Sequence, residues 1–149
     1  MKRINRWMAA VIIISVALLY YKSTQAPDSS VKTEPAKTET IEGTDLKRVI
    51  LTDMAAERLG IKTVSAGREK IARGRTPQLV VPYASLIYDL NGETWVYTSP
   101  EPLTYVRHRI EVEFIDADLV YLTEGPAVGT EIVTVGVAEL YGVETGVGK

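Results

Sequence analysis

Between Thr104 and Ile115 the side chains alternate in character from one position to the next. Val106, His108, Ile110, Val112 and Phe114 share one side, and Tyr105, Arg107, Arg109, Glu111 and Glu113 share the other. Period two over this length predicts a long strand with one face in a core and the other carrying a charged ladder. On that pattern His108 is expected to be half-buried and hydrogen-bonded to a neighbour. Upstream, "RVILTDMAAERLGIKTVSAG" predicts a strand, a short helix and a second strand. Thr52 or Asp53 can cap the helix, Met54, Ala55 and Leu59 supply its apolar side, and Gly60 falls where a left-handed C-cap residue is expected. "QLVVPYASLIY" is apolar, with Pro82 at a strand edge or bend, and Asn91-Gly92 marks a turn before "TWVYT" resumes the sheet. "IVTVGVAEL" predicts a last strand running into a short helix. The sum is six to eight strands and one or two short helices. That is a mainly β domain, a small β-roll or barrel-like fold, over residues 46–149.

The N-terminus obeys a different pattern. Lys2, Arg3 and Arg6 precede 15 uncharged residues, Trp7 to Tyr21. At about 1.5 Å per residue the run is roughly 22 Å long. Snorkelling by Arg6 and Lys22 extends its reach, and Trp7, Tyr20 and Tyr21 suit the two membrane interfaces. The basic flank puts residues 1–6 in the cytoplasm, 7–21 across the membrane as a signal anchor, and everything later outside. A cleaved signal peptide is the rival, but Pro27 directly after "TQA" is a poor fit to an extended protease subsite. Residues 22–45 are rich in Ser, Thr, Pro, Lys and Glu, with Val31 and Ile41 their only large aliphatics. Such a stretch is expected to be a flexible, disordered linker.

Composition removes most chemistry. There is no cysteine, hence no disulfide, thiolate nucleophile or cysteine metal site. His108 is the one histidine, which removes most His-clustered metal sites and makes any Ser-His-Asp arrangement depend on that single residue. Asp116, Asp118 and Glu124 gather near a turn without the spacing of a cation loop and are expected to be solvated. With Lys2, Arg3 and Arg6 taken from the 17 basic residues, 14 remain against 19 acidic ones, which argues against nucleic acid as a partner. No cofactor and no enzymatic activity are expected; a hydrolase would rest on His108 alone. Tyr83, Tyr88, Trp95, Tyr97, Tyr105 and Tyr121 are expected in the core or on the sheet surface. The side of the long strand with Arg107, Arg109, Glu111 and Glu113 is the candidate docking face for a partner protein.

Two blocks carry a family resemblance. "VILTDMAAERLGIKTVSAGREKIAR", residues 49–73, and residues 80–142, from "VVPYASLIYDLNGETWVYT" to "IVTVGVAELYG", resemble the two chain ends of periplasmic adaptor (membrane fusion) proteins of RND-type efflux pumps. The likeness is strongest to the heavy-metal branch. In that family the two ends meet as the membrane-proximal β-domain. Larger members place the rest of a β-barrel, a lipoyl-like domain and a helical hairpin between them; here the chain runs straight on from Arg75 to Gln78. The methionines reported as metal ligands in some members are unmatched by Met1, Met8 and Met54. The resemblance implies a single-pass protein of the bacterial inner membrane with its β-domain in the periplasm. Its expected partner is an efflux transporter or a full-length adaptor, and the expected role is support of export; a homo-oligomer is compatible with the family. The alternative is an orphan extracytoplasmic binding or scaffold module, or a degenerate adaptor remnant, with no transport role.

Overall fold

A computed structural model describes residues 34–70 and 77–146. The first strand, β1 (Ala36–Thr40), lies inside the stretch expected as linker. It pairs antiparallel with β2 (Lys47–Leu51), from Ala36 opposite Leu51 to Thr40 opposite Lys47. A tight turn closes the pair, with the Ile41 N–H bonded to the Leu46 carbonyl at 3.0 Å. Polar composition hid this strand because β1 is an edge, and an edge strand can stay soluble through Lys37 and Glu39 while β2 supplies the apolar side. The folded unit thus begins about ten residues earlier than expected.

Next come α1 (Asp53–Leu59), β3 (Lys62–Ser65) and β4 (Gly67–Glu69). The Thr52 hydroxyl accepts the Ala55 N–H at 3.2 Å, and Gly60 ends the helix at φ 62°. Ala55 is buried and Leu59 packs against the core, whereas Met54 faces solvent. Then follow β5 (Gln78–Pro82), a 3₁₀ turn at Tyr83–Ser85, β6 (Ile87–Tyr88) and β7 (Thr94–Glu101). The chain continues through β8 (Thr104–Asp116), β9 (Leu119–Glu124), β10 (Glu131–Val135) and α2 (Val137–Thr145). Ten strands are therefore found among the described residues, more than the six to eight expected, because the short β1, β4 and β6 each add one.

All neighbouring strands are antiparallel and follow the order β3-β10-β7-β8-β9-β5-β4, with β2 also paired to β8. Only Ala66 separates β3 from β4, and its N–H and carbonyl bond Thr130 and Gly129 at 2.8 Å each. The two ends of the path therefore belong to one stretch of chain, and the sheet curls into a half-barrel around an inner core. Its strands contribute Ala66, Val81, Val96, Ile110, Val120, Leu122 and Ile132. A second, outer core lies on the other face, where Val49, Leu51, Tyr97, Tyr105 and Val133 meet Ala55 of α1 and Leu140 of α2. β7 and β10 lie between the two, so Val96 with Tyr97 and Ile132 with Val133 are consecutive residues completely removed from solvent. Between β10 and α2, Gly136 has φ 88°, and a Cβ there would stand 2.1 Å from Ile61 Cδ1.

The alternation along β8 holds only in part. Register shifts flank Val112 in the pairing with β9. Phe114 pairs with Tyr121 and stacks on it, ring centroids 4.4 Å apart. Tyr121 lies between the inner-core residues Val120 and Leu122, so Phe114 sits on the opposite face from Ile110, contrary to the simple pattern. His108 keeps its inward-facing position opposite Val96 but is exposed rather than half-buried. Asp116 and Asp118 sit at the β8–β9 turn, while Glu124 lies at the far end of β9, so the three acids do not cluster.

Candidate docking surface

The four charged residues expected to form one outward face occupy three different environments. Arg107 is the first departure: its side chain is only 13% exposed. It is held under α2, with Nε 3.0 Å from Glu144 Oε1 and 2.9 Å from Oε2. Its guanidinium carbon lies 4.8 Å from the centroid of the Trp95 ring and 5.5 Å from that of Tyr141. The Tyr97 hydroxyl donates to the same carboxylate. Burial pushes the Tyr97 phenol well above the ordinary tyrosine range, and the hydrogen bond and charge of Glu144 push it further, with Arg107 opposing.

This cluster answers an electrostatic problem in α2. Glu144 places a negative charge in the last turn, at the negative end of the helix dipole, and no basic residue of the helix offsets it. The compensating cations come from the sheet. Arg107 meets the side chain, and Lys47 Nζ donates to the Glu144 carbonyl at 3.2 Å. Arg107 thus positions α2 against the outer core and leaves the expected contact face.

Arg109 does face solvent. Its side chain is 60% exposed, and Nη2 lies 3.0 Å from Glu93 Oε1. Glu111 is exposed and stands opposite the exposed Glu124, a like-charge pair with no compensating cation within salt-bridge reach among the described residues. Glu113 is exposed and accepts a hydrogen bond from Gln78 Nε2. The hairpin that supplies Glu93 also presents Tyr88 and, at its tip, Leu90, which is fully exposed. Asp89 holds that hairpin: its Oδ1 accepts the N–H groups of Asn91 and Glu93, each at 2.9 Å, and its Oδ2 accepts Trp95 Nε1 at 3.2 Å. Desolvation works to raise the Asp89 carboxyl, but those donors, with Arg107 nearby, hold it below the usual carboxylate range. Sequence pattern pointed to Arg109, Glu111 and Glu113 but missed Glu93, Lys47 and Glu144. Asp89 before Asn-Gly is the only local signal for the hairpin; Glu144 carries none.

Among the described residues no three His, Asp or Glu side chains are placed to hold a metal ion. No helix among them is long and apolar enough to cross a membrane, and Lys2, Arg3, Arg6, Trp7, Tyr20 and Tyr21 of the expected anchor lie outside the described residues. The chain matches no protein-family model, no curated protein and no solved structure.

Proposed function

We propose that the chain is a membrane-tethered, adaptor-like subunit whose β-domain docks on an RND-type efflux transporter, or on that transporter's full-length adaptor, in the bacterial periplasm. One observation supports this reading above the others: the two blocks that resemble adaptor chain ends interleave in a single sheet. β2 pairs with β8, β3 with β10 and β4 with β5. Glu69 stands opposite Gln78, so the point where larger adaptors carry their excursion falls at the connection between the paired strands β4 and β5. The β-domain can therefore close without the excursion. Lys2, Arg3 and Arg6 on the cytoplasmic side, with Trp7, Tyr20 and Tyr21 at the interfaces, tether it. Tethering turns docking to a membrane neighbour into an event at high effective concentration, so a modest surface suffices. In this reading Arg109, Glu111 and Glu113 touch the partner, and Arg107 acts from beneath. The test is affinity capture of the tagged full chain from crosslinked bacterial membranes. Co-purification of an RND transporter or an adaptor subunit is expected, and capture of neither contradicts the proposal.

A further inference from the structure

A sheet edge presents a row of unpaired backbone groups, and proteins blunt such edges by keeping them short, bulged or covered. Most edges of this sheet follow that rule. β4 has three residues, β6 has two, and β3 carries a register shift against β10. β1 departs from it. Its five residues pair with β2 without a register shift, no proline interrupts them, and no strand lies on their other side among the described residues.

The hydrogen bonds to β2 fix which groups are left over. The Pro35 carbonyl accepts the Thr52 N–H at 3.0 Å, and the Ile41 N–H donates to the Leu46 carbonyl at 3.0 Å. Bonded and non-bonded positions alternate along an antiparallel pair. With Ala36 opposite Leu51 and Thr40 opposite Lys47, the residues of β1 that bond β2 are Lys37 and Glu39. The N–H and carbonyl groups of Ala36, Thr38 and Thr40 therefore point outward from the sheet edge. Lys37 and Glu39 share one face, with Nζ 2.7 Å from Oε1 and side chains 68% and 38% exposed. They flank Thr38 at equal spacing with opposite charge, so β1 turned end for end is its own complement.

We propose that β1 pairs antiparallel with β1 of a second copy of this chain, about a twofold axis through Thr38. Thr38 meets Thr38 in a hydrogen-bonded pair, and Ala36 meets Thr40 in the next. Lys37 then stands opposite Glu39 of the second copy in a non-hydrogen-bonded pair, where cross-strand side chains come closest. Opposite charges directly across stabilise such a pair and like charges destabilise it. A shift of two residues either way sets Lys37 against Lys37 or Glu39 against Glu39, and a parallel alignment sets both against themselves. Charge thus selects this register. The match ends with β1, because Ile41 turns back toward Leu46 of its own chain. The proposal is independent of the docking reading, which uses the exposed outer-face residues of β8.

The chain has no cysteine, so an introduced one is its only thiol. The full chain in detergent micelles is oxidised mildly as Thr38→Cys or as Thr40→Cys, both exposed positions, and the disulfide-linked dimer is measured. Across a hydrogen-bonded pair the Cα atoms of the two residues 38 lie about 5.5 Å apart, within disulfide reach. The two residues 40 are offset by four positions, about 14 Å, and lie beyond it. Thr38→Cys is expected to link and Thr40→Cys to stay monomeric. Adding Lys37→Glu to Thr38→Cys sets like charges across the junction and is expected to lower linking about tenfold. Glu39→Lys in the same background is expected to do the same. A mixture of these two variants, each shown to be folded by circular dichroism, is expected to recover linking as a mixed dimer, since their edges are opposite in charge. Absence of linking at Thr38→Cys, the result if β1 instead takes a strand of another protein, overturns the proposal. So does equal linking at the two positions, or a mixture that links no better than either variant alone.

Discussion

Arg107 and Glu144 lie on different elements, β8 and α2, yet Nε and Oε2 are 2.9 Å apart and the Glu144 side chain is only 2% exposed. A pair so far from water is costly to form and more costly to break. Arg107→Met leaves the Glu144 carboxylate buried with the Tyr97 hydroxyl as its remaining side-chain donor, and is expected to lower unfolding free energy by about 3 kcal/mol. Adding Glu144→Gln removes the orphaned charge while keeping an acceptor for Tyr97. The double variant is therefore expected to be more stable than Arg107→Met alone. Urea unfolding of the two variants beside the parent measures the difference.

Tyr97 predicts an alkaline limit. Its folded value stands above that of an unfolded tyrosine, so ionisation favours the unfolded chain. The contribution is fully present below about pH 10 and is lost as pH rises beyond it. Tyr105, raised by burial, adds in the same direction. Absorbance titration should show part of the phenol signal appearing only together with unfolding. Tyr97→Phe should flatten the alkaline decline while costing about 1 kcal/mol at neutral pH through the lost hydrogen bond.

The junction of β10 and α2 should tolerate nothing larger than glycine. Gly136→Ala meets both a positive φ of 88° and a Cβ 2.1 Å from Ile61 Cδ1. A loss of at least about 2 kcal/mol is expected, the sum of a strained backbone and an overpacked contact. Combining it with Ile61→Val, which shortens the obstructing chain, should recover part of that loss by removing the contact but not the strain. Thermal unfolding of the single and double variants checks this.

Charge reversal on the outer face separates docking from folding. Arg109→Glu breaks an exposed ion pair with Glu93 and is expected to change stability by less than about 1 kcal/mol, the usual scale for surface pairs. The same change should reduce the yield of transporter or adaptor in the membrane capture experiment, with Arg109→Lys retaining more of it. Equal yields for all three chains would remove Arg109 from the contact.

The parts of the fold legible in the sequence are those with local chemistry. Thr52 and Gly60 delimit α1 by capping, Asn91-Gly92 places the β6–β7 turn, and the paired burial of Ile132 and Val133 shows as a short apolar run. What stayed hidden depends on partners distant in the chain. β1 has no apolar pattern of its own and is a strand because β2 lies beside it. Arg107 looks like solvent-facing charge until Glu144, 37 residues later, neutralises it. Phe114 changes face through register shifts that no residue type announces, and the exposure of His108 follows from where the curled sheet ends.

Native-state hydrogen exchange of the full chain addresses the central claim, that the segments before and after residues 71–76 form one cooperative sheet. The account predicts that amides of β3 and β4 exchange with the same opening free energy as those of β5, β9 and β10, and that Arg107→Met lowers all of them together. Protection of β5, β8 and β9 that persists after β2, β3 and β4 have exchanged freely would contradict it.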